Sequence, residues 1–405
     1  SMSLDHKKIV LAVSGGIAAY KAAVIISLLR KKGAEIKCIM TAHAAEFITP
    51  LTLREISGNP VAVSLFGDVP EFRVEHIALA QWADLFVIAP ATANIIGKIA
   101  NGIADDLATT AVMAATVPVI IVPAMNTNML ANPIVQENMA KLEKLGYMIM
   151  PPESGVLACG TVGAGRLPEP EHIAEYIEYA VMRTDCLKGK KVIVTAGGTR
   201  EAIDPVRYIG NHSSGRMGFA IARAAAFAGA DVTLVAGQVN LPTPSAVKRV
   251  DVLTTNEMKA AVDALYDDCD IVIKAAAVAD YRAAEPSPQK IKKNDDVLTL
   301  DMVKNPDILL ALGQRKKNQI LVGFAAETTN VIEHGREKLK KKNLDMLVAN
   351  DVTAEGAGFK GTTNIATFLY ADGTSEPLAL MSKDALAAEI IKRVASICEK
   401  KRQRE

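Results

Sequence analysis

Short runs of β-branched and apolar residues recur along the chain, separated by stretches with apolar positions at helical spacing. Lys8–Val13 is the first run, and Ser14-Gly15-Gly16 closes it. Ile17–Lys32 then predicts a helix ended by Gly33, and Ile36–Met40 predicts the next strand. Strand, glycine loop, helix and strand in that order open a parallel α/β sheet. Leu85–Ala89 and Val119–Val122 repeat the buried-strand pattern, with helices predicted over 92–101, 105–115 and 133–145. Pro151–Pro170 is rich in Gly and Pro and too long for a simple connection, which marks a functional or disordered loop. Glu171–Arg183 predicts a helix.

The pattern then restarts. Lys191–Thr195 predicts a strand, Ala196-Gly197-Gly198-Thr199 a glycine turn, Met217–Ala228 a helix closed by Gly229, and Asp231–Val235 a strand. Strands at Ile271–Lys274, Ile320–Phe324 and Asp345–Ala349 alternate with helices over 256–265, 306–317 and 330–342. Ile365–Tyr370 and Glu376–Leu380 predict a hairpin turning at Asp372-Gly373, and a last helix starts at about Lys383. The repeat predicts an α/β chain of two Rossmann-like domains, 1–185 and 186–405, joined near 183–190. Each is expected to be a right-handed parallel sheet that takes its ligand at the carboxyl ends of strands.

Composition narrows the function. Half of the 405 residues are hydrophobic, enough for two large cores, and the net charge is +1. Near-neutrality counts against a nucleic-acid partner held by a basic surface, and aromatics at 4% are too few for stacking platforms. Five scattered cysteines with no CxxC count against a disulfide framework and a structural zinc site. With no signal-peptide pattern and no apolar run of about 20 residues, the chain reads as cytoplasmic with no membrane partner. The neutral total hides a split. Residues 1–185 hold 14 basic and 18 acidic side chains, a net −4, and residues 186–405 hold 32 and 27, a net +5. The two halves are therefore expected to handle different ligands.

In the first half, Ser14-Gly15-Gly16 ends a strand and opens a helix, where outward N–H groups beside the positive helix end suit a phosphate. The alternative is a tight turn without a ligand. The loop is not GxGxxG, and the second strand ends in Met40-Thr41 without the acid that holds an NAD ribose. A monophosphate such as FMN fits better than a dinucleotide, which also weighs against a nicotinamide oxidoreductase. His76 lies in Val74-Glu75-His76-Ile77, just before a predicted helix carrying Trp82; taken alone, such a His is more often structural. Pro90–Asn94 and Pro123-Ala124-Met125-Asn126 place small residues and an Asn at strand ends. Cys159, between small residues in the long loop, is either a lid acid or an inert thiol.

In the second half, Asn211-His212-Ser213-Ser214-Gly215-Arg216 opens a helix, either as an anion site or as ordinary capping. No GxxxxGK[ST] occurs, so a P-loop ATPase is disfavoured. Ala275–Tyr281 sits at another strand end, where Asp280 suits a ribose or a metal bridging phosphates. Lys290-Ile291-Lys292-Lys293 follows Pro286 and Pro288, and Lys338 and Lys342 share a helix face. By default both are solvated surfaces; beside a nucleotide they close over a triphosphate.

Taken together, His76, Pro90–Asn94, Pro123–Met129 and Cys159 resemble, in order and spacing, the homo-oligomeric flavin-containing cysteine decarboxylases, over nearly all of residues 5–180. Residues 188–400 resemble phosphopantothenate–cysteine ligase through Asp204–Tyr208, Asn211–Gly218, Ala275–Tyr281, Lys290–Lys293 and Asn305–Ile308. The order is that of the bacterial bifunctional coenzyme A biosynthesis family. The resemblance implies a ligase that joins 4′-phosphopantothenate to cysteine with CTP and Mg²⁺ through an acyl-cytidylate. It implies an FMN decarboxylase that then acts on 4′-phosphopantothenoylcysteine, with the flavin supplying an electron sink by transient thiol oxidation. On that basis Ser14, Gly15, Gly16, Thr41, Phe47 and Asn94 are expected at the flavin. His76 would be the base on the thiol, Asn126 would hold the carboxylate, and Cys159 would donate a proton. Asn211 would bind the acyl intermediate and Lys290 would assist attack. Ala275, Ala276, Asp280, Pro306, Asp307, Ile308, Leu309, Phe324, Lys338 and Lys342 would form the nucleotide site, with Asp280 also facing the metal. Trimer-based flavin domains with sites between subunits and dimeric ligase domains are implied as well. Ile95 and Leu130 depart from the family pattern without removing a catalytic group. A flavin-binding scaffold with decayed catalysis is the competing reading; intact His76, Asn126, Cys159, Asn211 and Lys290 oppose it.

Overall fold

The computed structural model describes residues 3–64, 70–156, 162–293, 296–327, 329–351 and 363–405. The chain divides into two compact units, Ser1–Met182 and Arg183–Glu405.

The first unit is built on six strands: β1 (Lys8–Val13), β2 (Glu35–Thr41), β3 (Val61–Ser64), β4 (Leu85–Ala91), β5 (Val119–Pro123) and β6 (Met148–Ile149). They form one sheet in the order β3-β2-β1-β4-β5-β6, parallel throughout. β4 and β5 are buried at every residue, because helices cover both faces of a parallel sheet and leave no polar side. Alternation along β1 divides the core. Ile9, Leu11 and Val13 pack with Ile25, Ile26, Leu29, Ile173 and Ile177, whereas Val10 and Ala12 pack with Ile95, Ile99, Leu107 and Leu142.

Three expectations change here. The helix over Ile17–Lys32 is two segments, a 3₁₀ stretch at Ile17–Lys21 and an α-helix at Ala22–Lys31, tight turns being common at helix starts. The loop over Pro151–Pro170 contains an antiparallel hairpin, β7 (Glu153–Val156) and β8 (Val162–Arg166). His76 lies within the helix Pro70–Trp82 rather than before it. Cys159 is outside the described residues.

The second unit carries β9 (Lys191–Ala196), β10 (Arg200–Ala202), β11 (Tyr208–Gly210), β12 (Asp231–Ala236), β13 (Val247–Asp251) and β14 (Ile271–Lys274). They are followed by β15 (Tyr281–Ala283), β16 (Met302–Lys304), β17 (Ile320–Glu327), β18 (Met346–Asp351), β19 (Thr363–Asn364), β20 (Ala366–Tyr370) and β21 (Ser375–Pro377). The main sheet runs β13-β12-β9-β14-β17-β18-β20-β21. It is not parallel throughout. β20 pairs antiparallel with both β18 and β21, and the short Asp372-Gly373 turn makes the pairing with β21 a hairpin. The remaining pairings are parallel. Helices Arg216–Phe227 and Lys383–Arg404 pack together on this unit.

Candidate functional site

Each unit places a cavity at the same topological position. In the first sheet β1 and β4 are neighbours, and the chain leaves them toward opposite edges. That divergence opens a crevice beyond the carboxyl ends of the strands. A cavity of about 650 Å³ lies there. The loop after β1 brings Gly15 and Gly16 to it, the loop after β4 brings Pro90 and Thr92, and the loop after β5 brings Ala124, Met125 and Asn126. At Gly16 φ is +143° and a side chain would meet nothing within 4 Å, so the backbone presents an open face there. Gly165 has φ +119°, and a Cβ on it would stand 2.2 Å from the Met125 carbonyl oxygen. The Met125 N–H donates to the Gly165 carbonyl at 2.9 Å. That close approach pins the β7–β8 hairpin to the loop after β5 and sets Arg166 in the cavity wall. Arg166 pairs with Glu169, whose carboxylate is also 3.9 Å from Lys21 Nζ. Two lining cations thus share one carboxylate, leaving this edge of the cavity positive.

The expected flavin residues separate into two groups. Gly15, Gly16 and Asn126 line the cavity; Ser14, Thr41, Phe47, Asn94 and His76 are not among its lining residues. Ser14 is buried, and its hydroxyl is committed to the fold. Oγ donates to the Pro90 carbonyl at 2.6 Å and accepts the Thr92 N–H at 3.0 Å, locking the loop after β1 to the loop after β4. Thr41 Oγ1 accepts the Ala44 N–H at 3.2 Å, one strand away from the crevice. Phe47 and Asn94 are exposed, and His76 is half-buried. Asn126 is exposed at the mouth and caps the helix Thr127–Ala131, its Oδ1 accepting the Met129 N–H at 2.8 Å. The cap fixes the amide with its Nδ2 unengaged among the described residues. Lys21 and Arg166 were missed by sequence reasoning because folding, not sequence spacing, brings them together. The run Gly165-Arg166, a strained glycine before a cation, is the one local signal.

In the second unit the switch falls between β9 and β14, and a cavity of about 380 Å³ lies beyond them. Asn211, Ala275, Ala276, Asp280, Phe324 and Lys338 line it, together with Ser213–Gly218. Asn211 Nδ2 donates to the Val278 carbonyl at 2.8 Å, fastening the helix-start loop to the strand end. Pro306, Asp307, Ile308, Leu309, Lys342 and Lys290 are not among the lining residues. Ile308 and Leu309 belong to the core. Asp307 caps the helix Ile308–Gln314, accepting the Leu310 N–H at 3.0 Å, and pairs with Lys342 at 3.1 Å. Burial works to raise its carboxyl, but the Leu310 N–H and Lys342 outweigh that and hold it below the ordinary range. Lys290 is exposed.

Lys274, the last residue of β14, also lines this cavity and was not anticipated. Burial, with Lys342 and Lys338 nearby, brings its ammonium down to about 8, while Asp307 and Asp280 work in the opposite direction. A single lysine ending Ile-Val-Ile-Lys reads as a surface residue in sequence, which hid it.

Two sheets that share their strand order over the first six strands, each with a cavity at its switch point, define a two-domain α/β protein. A family model described as flavoprotein matches residues 1–182. A second, for the C-terminal domain of DNA/pantothenate metabolism flavoproteins, matches residues 187–397. The chain is 47% identical over 404 residues to the coenzyme A biosynthesis bifunctional protein CoaBC of Bacillus subtilis, covering 99% of this chain and 100% of that one. It is 47% identical over 407 residues to the CoaBC protein of Escherichia coli K12, covering 100% of both. The crystal structure of a CoaBC C-terminal domain matches 54% of this chain and 100% of its own, at 41% identity and a TM-score of 0.47. The chain belongs to the CoaBC family, the bifunctional phosphopantothenoylcysteine decarboxylases and phosphopantothenate–cysteine ligases of coenzyme A biosynthesis. No helix among the described residues is long and apolar enough to cross a membrane.

Proposed function

We propose that the second unit joins cysteine to 4′-phosphopantothenate with CTP through an acyl-cytidylate, and that the first unit decarboxylates the product with FMN. The cavity beyond β1, β4 and β5 carries the second assignment. It has the size of a cofactor pocket, an open glycine face and largely apolar walls. Its two cations stand at one edge, so it fits a flat ring with one phosphate. Bound flavin supplies a two-electron acceptor that makes loss of CO₂ possible and returns the pair afterwards. Gly15 and Gly16 would hold its phosphate by backbone N–H groups, with Arg166 and Lys21 close by. Asn126, its amide fixed by the helix cap, would grip the substrate carboxylate. His76 would take the thiol proton and Cys159 would return one to carbon. His76 stands off the lining of its own cavity, which fits a site completed between copies in a trimer-based assembly.

In the second unit, Asn211 and the helix-start loop would hold the acyl intermediate against the strand end. Lys274 and Lys338 on the cavity wall, with Lys342 close to Lys274, would supply the cations that a triphosphate needs. Asp280 is the carboxylate on the wall that would face a magnesium ion carried by the nucleotide, an ion that usually takes only one or two protein carboxylates. Lys290 would cover the phosphates during attack by the cysteine amine. Dimeric ligase domains and a cytoplasmic location complete this reading. The test is one assay of the full chain with 4′-phosphopantothenate, cysteine, CTP and Mg²⁺. Pyrophosphate and CO₂ are expected in equal amounts from a yellow protein, and absence of both would refute the reading.

A further inference from the structure

Lys290 is flanked by residues tied down 80 to 90 positions away in sequence. Asp204 is buried, and its carboxylate makes two kinds of bond. Oδ1 accepts the N–H groups of Val206 at 3.0 Å and Arg207 at 2.8 Å, the common local turn of an Asp. Oδ2 is directed elsewhere. It accepts the Arg207 Nε at 3.0 Å and the backbone N–H of Ile291 at 3.1 Å. Arg207 Nη2 in turn donates to the Ile291 carbonyl at 2.9 Å. The ion pair thus grips both the donor and the acceptor of a single distant residue, the one immediately after Lys290. A second tie lies upstream, where the Ser287 N–H donates to the Ile203 carbonyl at 2.9 Å. Ser287 Oγ also donates to the Gln289 carbonyl at 2.6 Å, tightening the chain just before Lys290. A turn that served only residues 203–207 would need neither long-range contact. Charge-assisted bonds of this kind are the strong ones, and Arg207 holds the Asp204 carboxyl well below the usual range.

We propose that Asp204 and Arg207 are positioning residues for ligation: they latch the backbone of Ile291, immediately after Lys290, and so fix where the Lys290 ammonium can reach. The inference rests on the reading that Lys290 serves ligation. It assigns no substrate contact to Asp204, which is buried. The latch sets the register of the lysine segment, as an exposed chain of three lysines would otherwise sample many positions.

Two independent measurements on the full chain test it. The first is the rate of tryptic cleavage after Lys290, Lys292 and Lys293. Asp204→Asn, which keeps the size of the side chain but loses the charge, and Arg207→Gln should each speed cleavage about tenfold or more, with the rest of the chain intact. The second is a double-mutant cycle on ligation. Lys290→Gln and Asp204→Asn should each slow pyrophosphate release about tenfold or more, since misplacing a group by about 1 Å can cost a hundredfold. The double variant should be no slower than Lys290→Gln alone, and decarboxylation of supplied 4′-phosphopantothenoylcysteine should be unchanged. Unaltered cleavage in both latch variants overturns the inference. So does a double variant slower by the product of the single effects, because Asp204 would then act through something other than Lys290. Full ligation by Lys290→Gln alone defeats the reading beneath, and is told apart from failure of the latch by the cleavage rates.

Discussion

The two units share a strand order, two strands to one side of the first and the rest to the other, and both open a cavity where the order reverses. They differ in how the cavity meets an anion. The first offers glycine backbone, with two cations already sharing Glu169. The second offers lysines from three elements: Lys274 ends β14, Lys338 lies near the end of the helix Val331–Lys341, and Lys383 starts the helix Lys383–Arg404. The charge split, −4 against +5, follows the same line. One phosphate can be held by N–H dipoles at a glycine turn, whereas a triphosphate needs full charges. A scaffold thus sets where a ligand binds, and the side chains at its strand ends set how much charge the ligand brings.

The strongest challenge to two separate sites is a pair of variants read in both assays. His76→Asn should lower decarboxylation at least about a hundredfold, the usual loss on removing a general base, and leave ligation alone. Lys290→Gln should do the reverse. Loss of both activities in either variant would mean that the sites depend on one another. Next in size is Arg166→Gln. It removes a full charge from the edge of the first cavity, so flavin should be retained about tenfold less tightly, followed by the yellow absorbance left after dialysis. Retention like that of the unmodified chain would leave the glycine backbone as the whole grip.

How much of this was legible in the sequence depends on the kind of signal. Strands buried on both faces announce themselves as apolar runs, and β1, β4, β5, β9 and β14 could be read almost residue by residue. The edge strands β6 and β13 could not. β6 is two residues long, and β13, Val247–Asp251, alternates with Lys, Arg and Asp. The hairpin in Pro151–Pro170 was hidden by its glycines, which suit a tight docking contact as well as a loop. Motifs pointed to Gly15, Gly16, Asn126, Asn211 and Asp280, which line the cavities, because each lies in a loop that follows a strand. They also pointed to Ser14, whose hydroxyl is turned inward to tie two loops. They omitted Lys21, Arg166 and Lys274, which reach the cavity walls only when distant segments meet. Ile308 and Leu309 entered the nucleotide list by position in a motif, yet their side chains fill the core.

A smaller effect separates the cavities by pH. Lys274 is charged below about 8 and neutral above it, so its attraction for nucleotide phosphates falls as pH rises through 8. Affinity for CTP should drop about threefold to tenfold between pH 7 and 9, and Lys274→Met should flatten that dependence. The sign for stability is opposite. Burial lowers the folded-state value below the ordinary 10.5, so the unfolded chain binds more protons between 8 and 10.5 and the fold gains stability as pH climbs through that window. Lys274→Met should therefore also raise the melting temperature at pH 7. A CTP affinity equally steep in pH for both proteins would remove Lys274 from the site.

Asp307→Ala should have the smallest effect, and it separates architecture from binding at the second cavity. The side chain caps Ile308–Gln314 and pairs with Lys342, and it is not among the cavity's lining residues. Loss of the cap should cost about 1 kcal/mol. The partly exposed ion pair adds little. For a domain of this size that is a fall of about 2–4 °C in melting temperature. Ligation should change less than about threefold, because Lys342 is released from a partner rather than removed. A loss of ligation as large as that of Lys290→Gln, with the melting temperature barely altered, would instead place the Asp307 carboxylate on the nucleotide or its metal, and the helix cap would be incidental.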